Sequence, residues 1–305
     1  MHKANYIHMR PSISLGSAQF GLDYGITNSG GKVSHVTVSE VLEAAHKYGI
    51  KYIDTAQVYG DAQKVIGNSH GQADNFKITS KLSPQKFNTF SSKHYHIWDN
   101  EFHETLSQLR VASLDAYLVH DVRDLSKNGS THLIDWLLSL KCQGLVNRLG
   151  VSIYDIHDLV GVPNGLLDVI QVPFSLYDQR FFEESAKAKI AINDSHIQAR
   201  SIYLQGILLA SSAEWPSWVS NDAITTHRRL ENFAQEMHLT LLQLTVDFIK
   251  SRDDLDSFVV GICSIEQLDE LMLAYSKPQI LTSSEWKQWH LNFDPIIDPR
   301  YWPSS

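Results

Sequence analysis

The feature that most constrains this chain is a recurring order: short apolar runs of β type, each followed by a stretch with helical spacing. Eight such runs stand at residues 13–16, 51–54, 76–81, 114–120, 147–151, 168–173, 197–201 and 257–261. Between the first two, residues 37–48 carry Val38, Val41, Leu42 and Ala45 at helical intervals and stop at Gly49. Residues 101–110, 133–141, 156–160, 180–191, 223–238 and 265–274 follow the same rule, and 240–251 predicts one further helix. Strands that alternate with helices pair in parallel, and eight of them predict an α/β fold of the closed (β/α)8 TIM-barrel type. A single domain over residues 1–305 is expected, with a short N-terminal extension and a C-terminal tail near the pocket.

The structural rival is an open, doubly wound sheet, which wants a glycine-rich first turn. The segment Gly16-Ser17-Ala18-Gln19-Phe20-Gly21 lacks the GxGxxG spacing. Nor is the stretch 26–32 a P-loop. Gly31-Lys32 is followed by Val33, and Ile26 stands where the first glycine belongs, so an ordinary turn is expected. A hydrophobic fraction of 43% can fill a large core, and a net charge of −8 disfavours a phosphate-backbone binder. Cys142 and Cys263 form no CxxC pair and suggest neither a disulfide framework nor a zinc site. Residues 1–10 hold no long apolar run, and runs such as 258–263 are strand-sized. A cytoplasmic protein without nucleic-acid or membrane partners is expected, as a monomer or weak homodimer.

In a barrel of this kind, reactive groups come from the C-terminal ends of several strands. That rule selects Asp54 and the following Tyr59-Gly60 after strand two, Lys81 on strand three and His120 on strand four. Ser152 ends strand five, and Gln171 lies in strand six. Each has a plain alternative: Asp54 as a cap, Tyr59 as packing beside a turn, Lys81 as a solvated loop residue, His120 as a bonded core histidine. A carboxylate, a phenol, an amine and an imidazole on three successive strand ends are harder to read as coincidence.

Asp54-Thr55-Ala56-Gln57-Val58-Tyr59-Gly60 with Lys81 and His120 resembles the catalytic tetrad of the aldo-keto reductase superfamily. The likeness runs almost end to end. Leu15-Gly16-Ser17-Ala18-Gln19-Phe20-Gly21 resembles its first strand and loop, 114–120 its fourth strand, and Leu149-Gly150-Val151-Ser152 with Val169-Ile170-Gln171 its nicotinamide-contacting strands. The resemblance implies an NAD(P)H-dependent reduction of an aldehyde or ketone, with Tyr59 as general acid. Lys81, held by Asp54, would lower the Tyr59 pKa, and His120 would orient the substrate carbonyl.

The resemblance also implies cofactor contacts from Ser17, Ala18, Asp54, Ser152 and Gln171. Further contacts are implied from Arg200, Ser201, Leu204 and Gly206, and from Gly261, Cys263, Ser264, Gln267 and Glu270. Ile153 replaces an Asn that many relatives carry, and Arg200 stands where many stack an aromatic ring on the nicotinamide. Family habit favours NADP(H), although Cys263 and Gln267 stand where NADP-preferring members offer Lys or Arg. The expected wall of the substrate pocket is Phe20, Tyr24, Tyr203, Trp215, Trp218 and Trp302, around a small-molecule carbonyl substrate. Two rivals are a cofactor-binding regulatory or sensor subunit with little turnover, and an aldolase or isomerase using Lys81 as a Schiff-base amine.

Overall fold

A computed structural model describes residues 11–69, 75–182, 194–292 and 294–303. Strands β1 (Ser12–Gly16), β2 (Tyr52–Asp54), β3 (Lys77–Leu82), β4 (Leu114–Val119), β5 (Val146–Ser152), β6 (Val169–Pro173), β7 (His196–Arg200) and β8 (Ser257–Gly261) pair in sequence order. All pairs are parallel, and β8 returns to β1, so the sheet closes as the expected (β/α)8 TIM barrel. The helices are α1 (Ala18–Gly21), α2 (His35–Lys47), α3 (Ala62–Gly67), α4 (Tyr95–Leu109), α5 (Ser130–Cys142), α6 (Asn221–Glu236), α7 (Leu241–Lys250) and α8 (Ile265–Ser276).

Period-two alternation along the strands sorts residues to opposite faces. Ile13, Leu15, Ile53, Ile78, Tyr117, Val119, Leu149, Val151, Ile170, Val172, Ile197, Ala199, Phe258 and Val260 point outward into the main core beneath the helices. The alternate set lines the barrel interior, where Ala116, Leu118 and Val169 form a separate small cluster. Its other members include Ser14, Asp54, Thr79, Lys81, Gln171, Gln198 and Ser257, all buried. The inward set therefore carries the chemistry and the outward set the packing.

Helix α2 forms because Ser34 accepts a hydrogen bond from the Thr37 amide at 3.1 Å while Val38, Val41, Leu42 and Ala45 bury one face. Helix α4 starts at Tyr95, six residues before the expected 101, because Trp98, Phe102, Thr105, Leu106 and Leu109 continue one buried stripe. Helix α3 was not expected, since six residues are too few to display a period. Conversely, the helix expected at 156–160 is a 3-10 turn, Ile156–Leu159, capped by Asp155 and followed closely by Gly161 and Pro163. Of the helix expected at 180–191, the described part is a 3-10 turn, Arg180–Phe182, and the remainder lies outside the described residues, as does the N-terminal extension.

Register places the site. Gly16 pairs with Asp54 on one side and Gly261 on the other, so two bare backbones lie side by side next to the carboxylate-bearing strand end. The turn after β2 is held by a backbone-to-backbone contact. A Cβ on Gly21 would lie 1.9 Å from the Tyr59 carbonyl oxygen, and one on Gly60, whose φ is +59°, would lie 2.3 Å from the Gly21 oxygen. Only glycine permits that approach, and it fixes where Tyr59 stands.

Candidate functional site

The floor of the site is a buried ion pair. Lys81 Nζ donates to Asp54 Oδ1 at 2.5 Å and to the Thr55 carbonyl at 3.0 Å, with both side chains at 5% exposure or less. Burial pulls the Lys81 pKa down, and the Asp54 carboxylate pushes it back toward the charged form. A pair this buried contributes geometry more than stability, because desolvation consumes most of the attraction.

Asp54 is held from its other side as well. Gln171 Nε2 donates to Asp54 Oδ2 at 2.7 Å and to Gln198 Oε1 at 2.6 Å, and Gln198 Nε2 donates to Ser257 Oγ at 3.2 Å. His196 Nε2 lies 2.8 Å from the same Ser257 Oγ. A polar chain thus crosses the barrel interior from Lys81 to the base of β7. Ser152, buried, donates to Gln171 Oε1 at 3.4 Å.

Tyr59 and His120 meet above this floor, edge to face, with ring centroids 6.1 Å apart. Lys81 Nζ stands 5.1 Å from the Tyr59 ring centroid. The expectation that Lys81 lowers the Tyr59 pKa is not met. Burial, followed by the Asp54 charge, pushes the phenol above its ordinary value, and Arg200 is the cation that opposes them. The same burial, with Lys81 and Arg200 nearby, holds the His120 pKa down to about 3. At neutral pH the mouth therefore offers a protonated phenol beside a neutral imidazole. His120 Nδ1 is buried without a hydrogen-bond partner among the described residues.

Arg200 is stacked rather than free. Its guanidinium lies 4.2 Å from the Tyr154 ring centroid and donates to the Ile153 carbonyl at 3.1 Å. Arg300, from the C-terminal tail, covers the same Tyr154 ring at 4.0 Å and pairs with Asp298 at 2.6 Å. The tail therefore reaches the rim of the site.

These groups open into a cleft of about 1090 Å³. Of the expected residues, Ser17, Ala18, Asp54, Tyr59, His120, Gln171, Arg200, Ser201, Gly206, Gly261, Cys263, Gln267 and Glu270 line it, as do Tyr24 and Tyr203. Lys81 sits sealed below it at 1% exposure.

Other expected positions are corrected. Phe20 is fully buried in the core, and Trp215 is buried with its indole donating to the Ile207 carbonyl at 2.9 Å. Trp218 and Trp302 pack on each other at 5.4 Å, away from the cleft wall. Leu204 is buried core at φ +47°, and Ser264 is spent as the N-cap of α8. Ser201 follows β7 rather than ending it, since its φ of +62° leaves the strand region.

The sequence reading missed Gln19, Tyr154, Gln198 and the first turn of α7. Gln198 was legible as the inward neighbour of Arg200 two residues on, but Gln19 lies in the four-residue helix α1 and Tyr154 in the loop after β5, neither long enough to show a period. The Gln19 amide lies against Gly261, where a Cβ would come within 2.7 Å of it.

The cleft suits an extended ligand with polar groups. Ser17 Oγ and Tyr203 Oη line it and, like His120 Nδ1, are buried without partners among the described residues, a costly state that a bound ligand would relieve. The Gly16–Gly261 pair lets a ligand approach the backbone. Among the described residues no helix is long and apolar enough to cross a membrane.

Comparison with known proteins agrees with this geometry. Two solved chains assigned to the aldo-keto reductases of Pseudomonas aeruginosa are similar in fold. One has a TM-score of 0.63 at 20% identity, covering 89% of this chain and 92% of its own. The other has a TM-score of 0.62 at 19% identity, covering 89% and 91%. The profile of the aldo/keto reductase family matches residues 12–290, nearly the whole chain. With that match laid over a closed eight-stranded barrel whose strand ends gather a phenol, an imidazole and a buried amine–carboxylate pair, this chain belongs to the aldo/keto reductase family of oxidoreductases, whose members generally use NAD(P)H.

Proposed function

We propose that this protein reduces a small aldehyde or ketone to the alcohol with NAD(P)H, Tyr59 supplying the proton. The observation that carries the reading is the convergence of Tyr59 and His120 at 6.1 Å above the Lys81–Asp54 pair, in a cleft of about 1090 Å³. When bound, the reduced nicotinamide supplies the hydride that adds to the carbonyl carbon. Gln171, Arg200, Ser17 and Gln19, which line the cleft, would hold it there.

Tyr59 donates its proton to the carbonyl oxygen as that oxygen gains charge, so carbon receives the hydride and oxygen the proton. Burial keeps Tyr59 in the phenol form the donation requires. Neutral His120 donates a hydrogen bond to the same oxygen from a position fixed in advance. The Lys81–Asp54 pair under the phenol fixes the ring's place, and Arg200 is the cation that opposes the charge left on the tyrosinate. Lys81 itself, sealed and donating to Asp54 and Thr55, is not offered to a substrate carbonyl, which speaks against Schiff-base chemistry.

The test is NAD(P)H oxidation across a broad carbonyl panel with the protein and its Tyr59→Phe variant. Turnover by the wild type and a loss of about 10²-fold or more in the variant are expected. A variant within about threefold of wild type, or a wild type that turns over no carbonyl, overturns the proposal.

A further inference from the structure

We propose that this protein selects NAD(H) over NADP(H), and that Cys263, Gln267 and Glu270 at the β8–α8 junction make the selection. The inference rests on the reading above and departs from the family habit that favours NADP(H). With the reacting ring between Tyr59, His120 and Arg200, the lining of the cleft offers the rest of a dinucleotide a path toward the helix starts. The cleft wall continues past Gln205 and Gly206 to the first turn of α7 and to the start of α8, on the outside of the barrel.

The walls at that outer end fit an adenosine. Leu241, Leu242, Ile262 and Leu273 give apolar surface for a flat purine, and Glu270 gives a carboxylate. A carboxylate accepts from an exocyclic amine or from the two hydroxyls of an unmodified ribose. Replacing the 2′-hydroxyl by a phosphate removes a donor and places ≈ −1.5 to −2 charges near that carboxylate instead.

Nothing in the wall compensates such a charge. Among the described residues lining the cleft, Arg200 is the one permanent cation, and it is stacked on Tyr154 at the inner end. Helix N-termini commonly hold phosphates through free amides, but at α7 and α8 part of that donor set is taken by the helix's own caps. In α8, the Cys263 amide donates to Gln267 Oε1 at 2.8 Å and the Gln267 amide to Ser264 Oγ at 3.3 Å. In α7, the Thr240 amide donates to Gln243 Oε1 at 3.0 Å and the Gln243 amide to Thr240 Oγ1 at 3.1 Å. The capping side chains thereby take two amides at each helix start, and no side-chain cation stands beside the others among the described lining residues except the distant Arg200.

Titration of the full chain with NADH and NADPH side by side, followed by quenching of tryptophan fluorescence, tests this. 5′-AMP and 2′,5′-ADP serve as probes of the outer end alone. NADH is expected to bind at least about tenfold more tightly, a difference of about 1.4 kcal/mol, and 5′-AMP to compete where 2′,5′-ADP does not. NADPH binding as tightly as NADH, or more so, overturns this inference and leaves the oxidoreductase reading standing. Failure of both nucleotides at millimolar concentration overturns that reading and this inference with it. Cys263→Arg, with Gln267→Arg as a second variant should the first fold poorly, is expected to tighten NADPH about tenfold, as charge-assisted pairing allows. No gain in either folded variant overturns the assignment to these positions.

Discussion

At the inner end of the cleft, each charged group is tied to a strand and matched by a partner. Lys81 on β3 meets Asp54 on β2 at 2.5 Å, and Gln171 on β6 takes the other carboxylate oxygen at 2.7 Å. At the outer end, the polar groups belong to loops and helix starts and are turned on one another, Gln267 on Cys263 and Gln243 on Thr240. The contrast separates two tasks. Chemistry needs groups held to fractions of an ångström, which sheet register supplies, whereas the choice of ligand needs only the presence or absence of a charge, which a loop residue can change without disturbing the barrel.

The largest expected effect breaks the inner end. Asp54→Asn leaves Lys81 buried without its carboxylate and is expected to cost about 3–5 kcal/mol of stability, read by urea unfolding. A loss under about 1 kcal/mol would show that Lys81 is neutral or resolvated in the folded state. Next in size is Gly21→Ala, whose Cβ would sit 1.9 Å from the Tyr59 carbonyl oxygen. Overpacking of this kind costs about 1–3 kcal/mol, and the displaced Tyr59 is expected to lower kcat more than it raises KM. Unchanged kinetics in a folded variant would detach Tyr59 from its turn.

Acid sharpens the comparison, because the inner end buries an uncharged imidazole. The His120 pKa falls from 6.5 to about 3 on folding, and that of His227, bonded to Tyr177 and to the Ala210 carbonyl, also falls. Below pH 6.5 the unfolded chain binds protons that the folded one refuses, so the stabilisation present above 6.5 is lost as pH drops toward 3. Each histidine is expected to add about 1 kcal/mol per pH unit to the slope within its window. Unfolding curves from pH 7 to 4 check this, and His120→Gln should flatten them; an equal slope in that variant refutes the assignment. The smallest effect belongs to the rim. Arg300→Ala removes one face of the Tyr154 sandwich at a half-exposed site and is expected to cost about 0.5–1 kcal/mol of stability. A loss above about 2 kcal/mol would mean that the tail is part of the core.

Strand ends were legible because a strand advertises itself with few residues and its period assigns faces. Asp54, Lys81, Gln171 and Arg200 all fall on the inward set once the alternation is counted. The aromatic wall was legible only in part, through Tyr24 and Tyr203. Phe20, Trp215, Trp218 and Trp302 were expected in the pocket from aromatic type and from their place after strands one and seven or in the tail, and neither distinguishes an aromatic that faces a ligand from one that fills a core. The electrostatics of Tyr59 were misread for a related reason. A lysine near in sequence pattern suggested a lowered pKa, but burial decides the sign, and burial is a property of the folded whole.

The order of apolar runs, with the residue types at their ends, determined by itself the barrel and the strand-end places of Asp54, Lys81 and His120, because hydrophobic period and strand-end position are local properties of a chain. Only the tertiary structure decided that Gln198 and Ser257 support Asp54 from across the barrel, that Arg200 stacks on Tyr154, and that Gln267 turns back onto the Cys263 amide. Those are meetings between groups far apart in the chain or bonds whose partners the fold selects, and no spacing along a sequence encodes which donor reaches which acceptor.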